Sequence, residues 1–216
     1  MDIAIIGAGS VGRSLATAFT RAGHSVTISS RDAAHAQAAA AATRSRAAAS
    51  NADAAGAADV IVLATPFASA PEIAADIRDV ATGKILIDVS NRMSFGADGP
   101  AMDTTSSNAE DLAAMLPDVT VVKAFNTLFA TNQSDPIADG VRLDGFVAGD
   151  DPAAKATILE LVASIGLDPV DVGPLVRARQ LEGMAFLNIA LNATHGGSWQ
   201  SGWKLVGAPA TLPVAA

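Results

Sequence analysis

DIAIIGAGSVG, residues 2–12, is the segment from which the architecture of this chain is most readily predicted. Its first five residues read as a short apolar strand, and Gly7, Gly9 and Gly12 follow in the pattern Gly-x-Gly-x-x-Gly. A helical pattern over residues 10–22 comes directly afterwards, with apolar side chains at helical spacing. This order of strand, glycine-rich turn and helix is typical of a dinucleotide site.

Each glycine of this turn has a separate physical task. Gly7 permits the tight turn, Gly9 lets the backbone approach a pyrophosphate, and Gly12 lets the helix lie close to the strand. Ser10 and Val11 begin the helix, whose N-terminus offers unpaired N–H groups and a partial positive charge to phosphates. The alternative is a glycine-rich turn in another kind of α/β protein, and the position between strand and helix favours the dinucleotide site.

The end of the second predicted strand, residues 25–29, indicates which dinucleotide binds. An NAD site usually places an acid near this point, whereas an NADP site has groups that hold a 2′-phosphate. Ser30 can donate a hydrogen bond, and Arg31 can pair bidentately with phosphate. Asp32 is either a displaced ribose acid or a residue in the first turn of the next helix, which suits the dipole. We favour the second interpretation and therefore NADP.

His35 lies one helical turn after Arg31. It either helps to hold the 2′-phosphate or is an exposed helix residue, and the sequence leaves both interpretations open.

Composition excludes several classes of protein. The chain has 216 residues, half of them hydrophobic, and a formal net charge of −8, which argues against a nucleic-acid binder. It has no cysteine, so disulfides, thiol catalysis and thiolate metal sites are absent, and no histidines have metal-binding spacing. No signal sequence or membrane-spanning apolar run is apparent. We expect a cytoplasmic protein with neither a metal nor a membrane partner.

Strand and helix patterns alternate along the chain. Strands are predicted at residues 2–6, 25–29, 60–63, 84–89 and 119–124. Helices are predicted at residues 10–22, 32–49, 52–57, 69–81 and 106–116, and residues 90–105 are predicted to form a long irregular loop. This alternation predicts an α/β fold, a Rossmann-type doubly wound parallel sheet, for a first domain at residues 1–126.

The pattern changes after residue 126. Strands at 145–148 and 168–172, a helix at 154–165 and a longer helix at 175–195 predict a smaller α+β domain at residues 127–216. Residues 184–191 are apolar almost all round the helix, which is typical of a helix buried in a core or in a subunit interface.

Two tracts follow strands where ligands of open α/β sheets bind. Ala64, Thr65 and Pro66 follow one strand, and Asn126 and Thr127 follow another. Asn126 is suited to hydrogen-bond a carboxamide or a ring carbonyl, although it is also a residue type that caps turns.

Both tryptophans lie in the glycine-rich tail. Trp199 and Trp203 are four residues apart, so on a helix they would face either a flat ring or the protein core. No acid–base pair is evident in the sequence. Hydride transfer between two bound rings depends mainly on proximity and orientation, which such a chain can supply.

These tracts together resemble the NADPH-dependent reductases of the deazaflavin coenzyme F420, and more widely the cytosolic nucleotide domain of the six-transmembrane ferric reductases. The resemblance covers nearly the whole chain. It is carried by Ile6 to Gly12, Ser30-Arg31, Asp88 to Asn91, Val122 to Thr127, Asp171 to Leu175, Ala178-Arg179 and Glu182.

The resemblance implies a Rossmann domain and a smaller domain with a cleft between them, assembled as a homodimer. NADPH would lie over Gly7 to Gly12, with its 2′-phosphate at Ser30 and Arg31 and its nicotinamide near the tract at residues 64–66. The implied residues around the acceptor ring are Asn91, Asn126, Thr127, Trp199, Trp203 and Leu205. The chain departs from the deazaflavin reductases at His35, where they carry a basic residue, and at Asn126, where they tend to carry histidine.

These features predict an NADPH-dependent oxidoreductase that transfers a hydride between NADP(H) and a deazaflavin (F420) or flavin (FMN or FAD) acceptor. One alternative is a reductase of a small imine or carbonyl compound, which would need a proton donor in the cleft. The other is a non-catalytic NADP(H)-binding regulator, against which an open second cleft would count.

Overall fold

A computed structural model of the chain describes residues 1–96 and 99–207. Within these residues, eight strands form one sheet in the order β12-β11-β8-β5-β4-β1-β2-β3. These strands are β1 Asp2–Ile6, β2 Ser25–Ser29, β3 Arg46–Ala47, β4 Val60–Leu63, β5 Ile85–Asp88, β8 Thr120–Ala124, β11 Asp144–Gly149 and β12 Asp168–Asp171. Two hairpins stand apart from it, formed by β6 Met93–Gly96 with β7 Gly99–Met102 and by β9 Ile137–Ala138 with β10 Val141–Arg142.

Helices connect the strands and cover both faces of the sheet. They are α1 Ser10–Arg21, α2 Ala33–Thr43, α3 Asn51–Gly56, α4 Ala70–Ala81, α5 Asn108–Met115, α6 Ala130–Ser134, α7 Pro152–Ser164 and α8 Ala178–His195. Short 3-10 helices at Phe67–Ser69 and Leu175–Arg177 precede α4 and α8. Within the described ranges, no helix is long and apolar enough to cross a membrane.

Two hydrophobic cores confirm the doubly wound architecture. Phe19 of α1 and Ile158 of α7 belong to the core on one face, and Ile77 of α4 and Leu112 of α5 belong to the core on the other. The central strand Val60–Leu63 between them is apolar throughout, because a parallel strand covered by helices is buried on both faces.

The C-terminal strands extend the same sheet. β11 runs antiparallel to β8, and β12 runs parallel to β11. Sheet hydrogen bonding therefore crosses residue 126, and the division into domains at 1–126 and 127–216 stays a prediction.

Two local expectations were wrong. The alanine-rich helix ends at Thr43 rather than at 49, because Arg44 adopts a left-handed conformation (φ 57°) and the next residues pair with β2 as an edge strand. Strand pairing here overrides the helix propensity of alanine. The predicted irregular loop at 90–105 contains the β6–β7 hairpin. Residues 197–205 are not helical, so the condition under which both tryptophans would share one helix face is not met.

Candidate functional site

Two cavities open at the carboxyl ends of the parallel strands, the edge at which open α/β sheets bind ligands. The β2-side cavity has a volume of about 190 Å³ and lies beside the ends of β1, β2 and β4. The β8-side cavity has a volume of about 370 Å³ and lies beside the ends of β5 and β8, with α8 as one wall. The glycine-rich turn lies between them, since Gly7 and Gly9 line the first cavity and Ser10 and Val11 line the second.

The glycines of the turn are required for different reasons. Gly7 has φ 121°, and a Cβ there would overlap the main-chain oxygen of Ala64. A Cβ at Gly12 would overlap the carbonyl of Gly7, so Gly12 lets α1 pack closely on the turn, and it lines neither cavity. A Cβ at Gly9 would meet no described atom within 4 Å, which leaves its backbone open to an approaching group.

The β2-side cavity contains most of the residues predicted to hold the cofactor. They are Gly7, Gly9, Ser30, Arg31, Ala64, Thr65 and Pro66. Over the described ranges, the guanidinium of Arg31 has neither a hydrogen-bond partner nor an ion-pair partner, so it is available to an anion. The hydroxyl Oγ1 of Thr65 is buried and has no partner among the described atoms.

Asp32 caps a helix and lies outside the cavity. Its Oδ1 accepts hydrogen bonds from the backbone N–H groups of His35 (3.2 Å) and Ala34 (2.8 Å) at the start of α2. These bonds hold the pKa of the Asp32 carboxyl below its usual value. The structure therefore agrees with the interpretation of Asp32 as a helix residue.

His35 does not reach the β2-side cavity. Its side chain is 76% exposed on α2, and its Nδ1 lies 3.8 Å from Oδ2 of Asp32. His35 is not among the described residues that line this cavity, so the structure does not bring it together with Ser30 and Arg31, and a role at the 2′-phosphate stays a prediction.

Four polar residues of this cavity, Asn51, Ser69, Glu72 and Asp76, were not predicted. Asn51 connects β2 with α4, because its Oδ1 accepts a hydrogen bond from Ser29 Oγ (2.8 Å) and its Nδ2 donates one to Asp76 Oδ2 (3.1 Å). Glu72 and Asp76 of α4 also line the cavity. Arg31 is the single basic residue among the described lining residues, against two carboxylates. No motif points to these residues, since α3 and α4 reach the cavity only through helix packing.

The β8-side cavity gathers most of the residues predicted around the acceptor. They are Asn91, Asn126, Thr127 and Trp199, and Ser10 and Val11, which were predicted to hold the cofactor, line this cavity as well. Residues of α8, among them Ala185 and Asn188, form the opposite wall. Trp199 packs edge-on against Phe129, with ring centroids 5.4 Å apart. None of the described residues that line this cavity is ionisable.

A strained residue directs Asn126 toward this cavity. Phe125, the residue before it, is buried and has φ 62°, a left-handed conformation that is rare for an aromatic residue. Such a conformation costs about 1–3 kcal/mol and clusters at functional sites. The Phe125 ring packs edge-on against Phe19 at 5.7 Å, which holds the turn in place. Nothing in the local sequence announces this turn.

Asn91 and Asn126 are paired across the strand ends. Nδ2 of Asn126 donates to Oδ1 of Asn91 (2.9 Å), and Nδ2 of Asn91 donates to the main-chain oxygen of Asn126 (3.4 Å). This pair joins the loop after β5 to the loop after β8.

A buried charge network lies next to this pair. The ammonium of Lys123 donates to Asp88 Oδ2 (2.7 Å), Glu182 Oε1 (2.7 Å) and the main-chain oxygen of Ser90 (2.5 Å). All three charged side chains are 0% exposed. Glu182 also accepts from the backbone N–H of Asn108 (2.9 Å), so α8 is fixed to the ends of β5 and β8.

The sequence contained a signal for this network. Asp88 ends the apolar strand Ile85–Asp88, and Lys123 interrupts the apolar strand Thr120–Ala124. Charged residues in such strands are almost never buried unless they are paired. The partner on α8 was not predictable from spacing.

Two residues expected near the acceptor lie elsewhere. Trp203 packs on the cluster of Phe146 and Leu181, and its main-chain oxygen accepts from the backbone N–H of Asp144 (3.0 Å). Leu205 is 46% exposed. The tail is not helical here, and of the two tryptophans only Trp199 lines the cavity.

No cluster of three or more histidine, aspartate or glutamate side chains that could hold a metal ion occurs in the part of the chain that the structure describes. The sequence itself contains no cysteine.

Comparison with known proteins places this architecture in a family. The sequence model described as NADP oxidoreductase, coenzyme F420-dependent, matches residues 2–92. The F420-dependent NADP reductase of Methanothermobacter thermautotrophicus is 34% identical over 208 residues, which cover 89% of this chain and 89% of that protein. A crystal structure from Arthrobacter sp. FB24, provisionally assigned as an F420-dependent NADP reductase, superposes with a TM-score of 0.84 at 33% identity, covering 92% of this chain and 96% of that one.

Metalloreductase STEAP3 of Rattus norvegicus is 33% identical over 180 residues, or 83% of this chain. The chain spans about a third of the length of this and the related metalloreductases that it matches, at 35–36% of each. The glycine-rich turn, the two cavities at the strand ends and the whole-length similarity lead to one conclusion: the chain belongs to the family of F420-dependent NADP oxidoreductases.

Proposed function

We propose that this chain is an NADPH-dependent oxidoreductase that transfers a hydride between NADP(H) and a deazaflavin (F420) or flavin acceptor. The observation that carries the proposal is the pair of cavities on either side of the glycine-rich turn. In the part of the chain that the structure describes, one cavity has an arginine without a partner at the end of β2, and the other has no ionisable lining residue and is lined by amides and an indole. A dinucleotide that crosses the turn would reach both cavities.

The residues of the β2-side cavity fit the adenosine half of NADPH. Gly9 leaves backbone space for the pyrophosphate, and the N-terminus of α1 faces the same region. Ser30 and Arg31 would hold the 2′-phosphate, Arg31 through a bidentate pair. Asn51 and the carboxylates of Glu72 and Asp76 would face groups that donate hydrogen bonds.

The β8-side cavity fits two stacked or adjoining rings. Bound NADPH supplies the hydride, and the residues of this chain position the acceptor against it and exclude water. Asn126 and Thr127 would contact the rings on the strand side, and Trp199 would cover them on the tail side. Proximity and orientation of this kind can account for much of the rate of hydride transfer.

The uncharged lining separates the proposal from its alternatives. Reduction of an imine or carbonyl needs a proton donor, and the described lining of the β8-side cavity offers no ionisable side chain. A non-catalytic regulator needs no second ligand cavity, whereas a cavity of about 370 Å³ is open here. Both observations favour a ring acceptor such as F420, FMN or FAD.

We further propose a homodimer in which α8 contributes to the interface. Leu187 and Leu191 lie one helical turn apart on α8 and are 48% and 47% exposed. Exposed large apolar side chains on one helix face are typical of an interaction surface. Light scattering of the purified chain tests this assembly.

The experiment that tests the proposed activity is a titration with NADPH and NADH, followed by addition of F420, FMN or FAD to the complex. We expect tighter binding of NADPH than of NADH and loss of the nicotinamide absorbance band with at least one ring acceptor. Binding of NADPH without turnover of any deazaflavin or flavin would refute the proposed acceptor class.

A further inference from the structure

We propose that the β8-side cavity selects its ring ligand through two amide oxygens, Oδ1 of Asn126 and Oε1 of Gln133. Both accept hydrogen bonds, so the cavity favours a ring whose edge donates one through an amide N–H group. A primary carboxamide and a cyclic imide both carry such a group. This inference rests on the proposed function, because it concerns the rings that would occupy the same cavity.

The orientation of the Asn126 amide is fixed by its neighbour. The main-chain oxygen of Asn126 can only accept a hydrogen bond, so the amide group that faces it must be Nδ2 of Asn91. The other end of that amide, Oδ1 of Asn91, then faces the side chain of Asn126. Nδ2 of Asn126 then donates to that oxygen at 2.9 Å. Rotating the Asn126 amide by half a turn would bring two oxygens together. Its own Oδ1 is therefore the end left for a ligand.

Gln133 is fixed in the same way by a different carbonyl. Its Nε2 donates to the main-chain oxygen of Phe125 at 3.3 Å, which again can only accept. The residue is 1% exposed and lines the β8-side cavity. Its Oε1 is the other end of the amide, and the hydrogen bond also braces the strained turn at Phe125.

Both oxygens are buried and lack a donor. Across residues 1–96 and 99–207, Oδ1 of Asn126 and Oε1 of Gln133 have no hydrogen-bond partner, and Asn126 is 5% exposed. Buried polar atoms in native proteins are generally paired, so unpaired ones require an explanation. Two unpaired acceptors on the wall of one uncharged cavity point to a ligand that donates hydrogen bonds.

Because the unpaired atom of Asn126 is an acceptor, its side chain can bind only a ligand group that donates a hydrogen bond. A ring carbonyl would place one oxygen against another, whereas an N–H group would satisfy the amide. Sites built to hydrogen-bond a donor reject analogues that lack it, because the buried acceptor is then left unpaired. The donor can come from the carboxamide of nicotinamide or from the imide of a flavin or deazaflavin ring, and analogues distinguish these sources.

The test measures binding of paired analogues to the unmodified protein by isothermal titration calorimetry. In the first arm NADPH is compared with its 3-acetylpyridine analogue, in which a methyl ketone replaces the carboxamide. In the second arm FMN is compared with FMN methylated at N3, each added to the protein saturated with NADP⁺. We expect at least one analogue to bind about tenfold more weakly than its parent, which is the loss from one unpaired buried acceptor.

Variants of Asn126 and Gln133 then test whether these two amides cause the difference in affinity between parent and analogue. Asn126→Leu and Gln133→Leu should each reduce the ratio between parent and analogue toward one. Thr20→Val is the matched control, because Oγ1 of Thr20 is also buried and unpaired among the described atoms but lies outside the cavity. This control should keep the full ratio. Gln133→Leu serves alone if Asn126→Leu does not fold.

The outcomes separate this inference from the proposed function. Equal affinities for parent and analogue in both arms, with NADPH bound, would overturn the inference and leave the proposed function intact. Weaker binding of only one analogue supports it and identifies the ring that the amides contact. A ratio that persists in both leucine variants would overturn it, and failure of NADPH to bind would refute the proposed function itself.

Discussion

Replacement of Arg31 by alanine should weaken NADPH binding selectively. The guanidinium of Arg31 lines the β2-side cavity and has no competing partner among the described side chains, so none of its contacts must break when phosphate arrives. A hydrogen bond to a charged group contributes about 1.5–3 kcal/mol. Exposure and salt screening lower this contribution, whereas Glu72 and Asp76 in the same cavity would repel the phosphate more once the arginine is gone.

These opposing effects lead us to expect a loss of about 2 kcal/mol, roughly a thirtyfold increase in the Kd for NADPH. NADH lacks the 2′-phosphate, so its Kd should change by about twofold at most. Arg31→Lys should give an intermediate loss, because it keeps the charge but not the bidentate geometry. Titration of nicotinamide fluorescence at low and high salt measures all of these values.

Arg78→Ala is the matched control, since Arg78 is exposed on α4 and does not line the cavity. Its affinity for NADPH should equal that of the unmodified protein. Equal losses for NADPH and NADH in Arg31→Ala would refute the assignment of the 2′-phosphate to the end of β2.

Three further perturbations test the packing around the two cavities. Lys123→Met leaves two buried carboxylates without their counter-charge and should reduce the free energy of unfolding in urea by about 3–5 kcal/mol. The Arg179 guanidinium holds the pKa of Glu110 below its usual value. The ionised carboxylate therefore stabilises the fold at pH values above the pKa that Glu110 has in the unfolded chain. This stabilisation is lost as the pH falls through the lower pKa of the folded protein. Glu110→Gln should therefore unfold more easily at neutral pH, and the two urea curves should converge in acid; a constant difference would contradict this. Gly12→Ala should lower the urea midpoint because its Cβ overlaps a carbonyl, whereas Gly9→Ala should leave the midpoint unchanged and weaken NADPH binding.

Local sequence was sufficient to predict which residues of the proposed nucleotide site lie together. The strand, the glycine-rich turn and α1 lie where they were predicted, and Ser30 and Arg31 lie together at the end of β2. These features depend on short-range requirements, namely the steric freedom of glycine and the order of strand and helix. Such requirements are written in consecutive residues.

The acceptor half depended on contacts between distant segments. Asn126 was predicted at this cavity, but its orientation comes from Asn91, 35 residues earlier, and from the strained backbone at Phe125. Gln133 was not predicted at all, because the turn that brings it back over Phe125 has no sequence motif. Trp203 was expected here and instead packs against Phe146 and Leu181.

The sequence by itself determined the α/β class and the glycine-rich turn, and it carries the prediction of a 2′-phosphate site at Ser30 and Arg31. Tertiary structure alone decided which polar groups meet at the second cavity and which are held away from it. Lys123 shows the reason, since its partners Asp88 and Glu182 are 35 and 59 residues away along the chain. A buried charge requires partners, but only the packing of α8 against the ends of β5 and β8 determines which residues supply them.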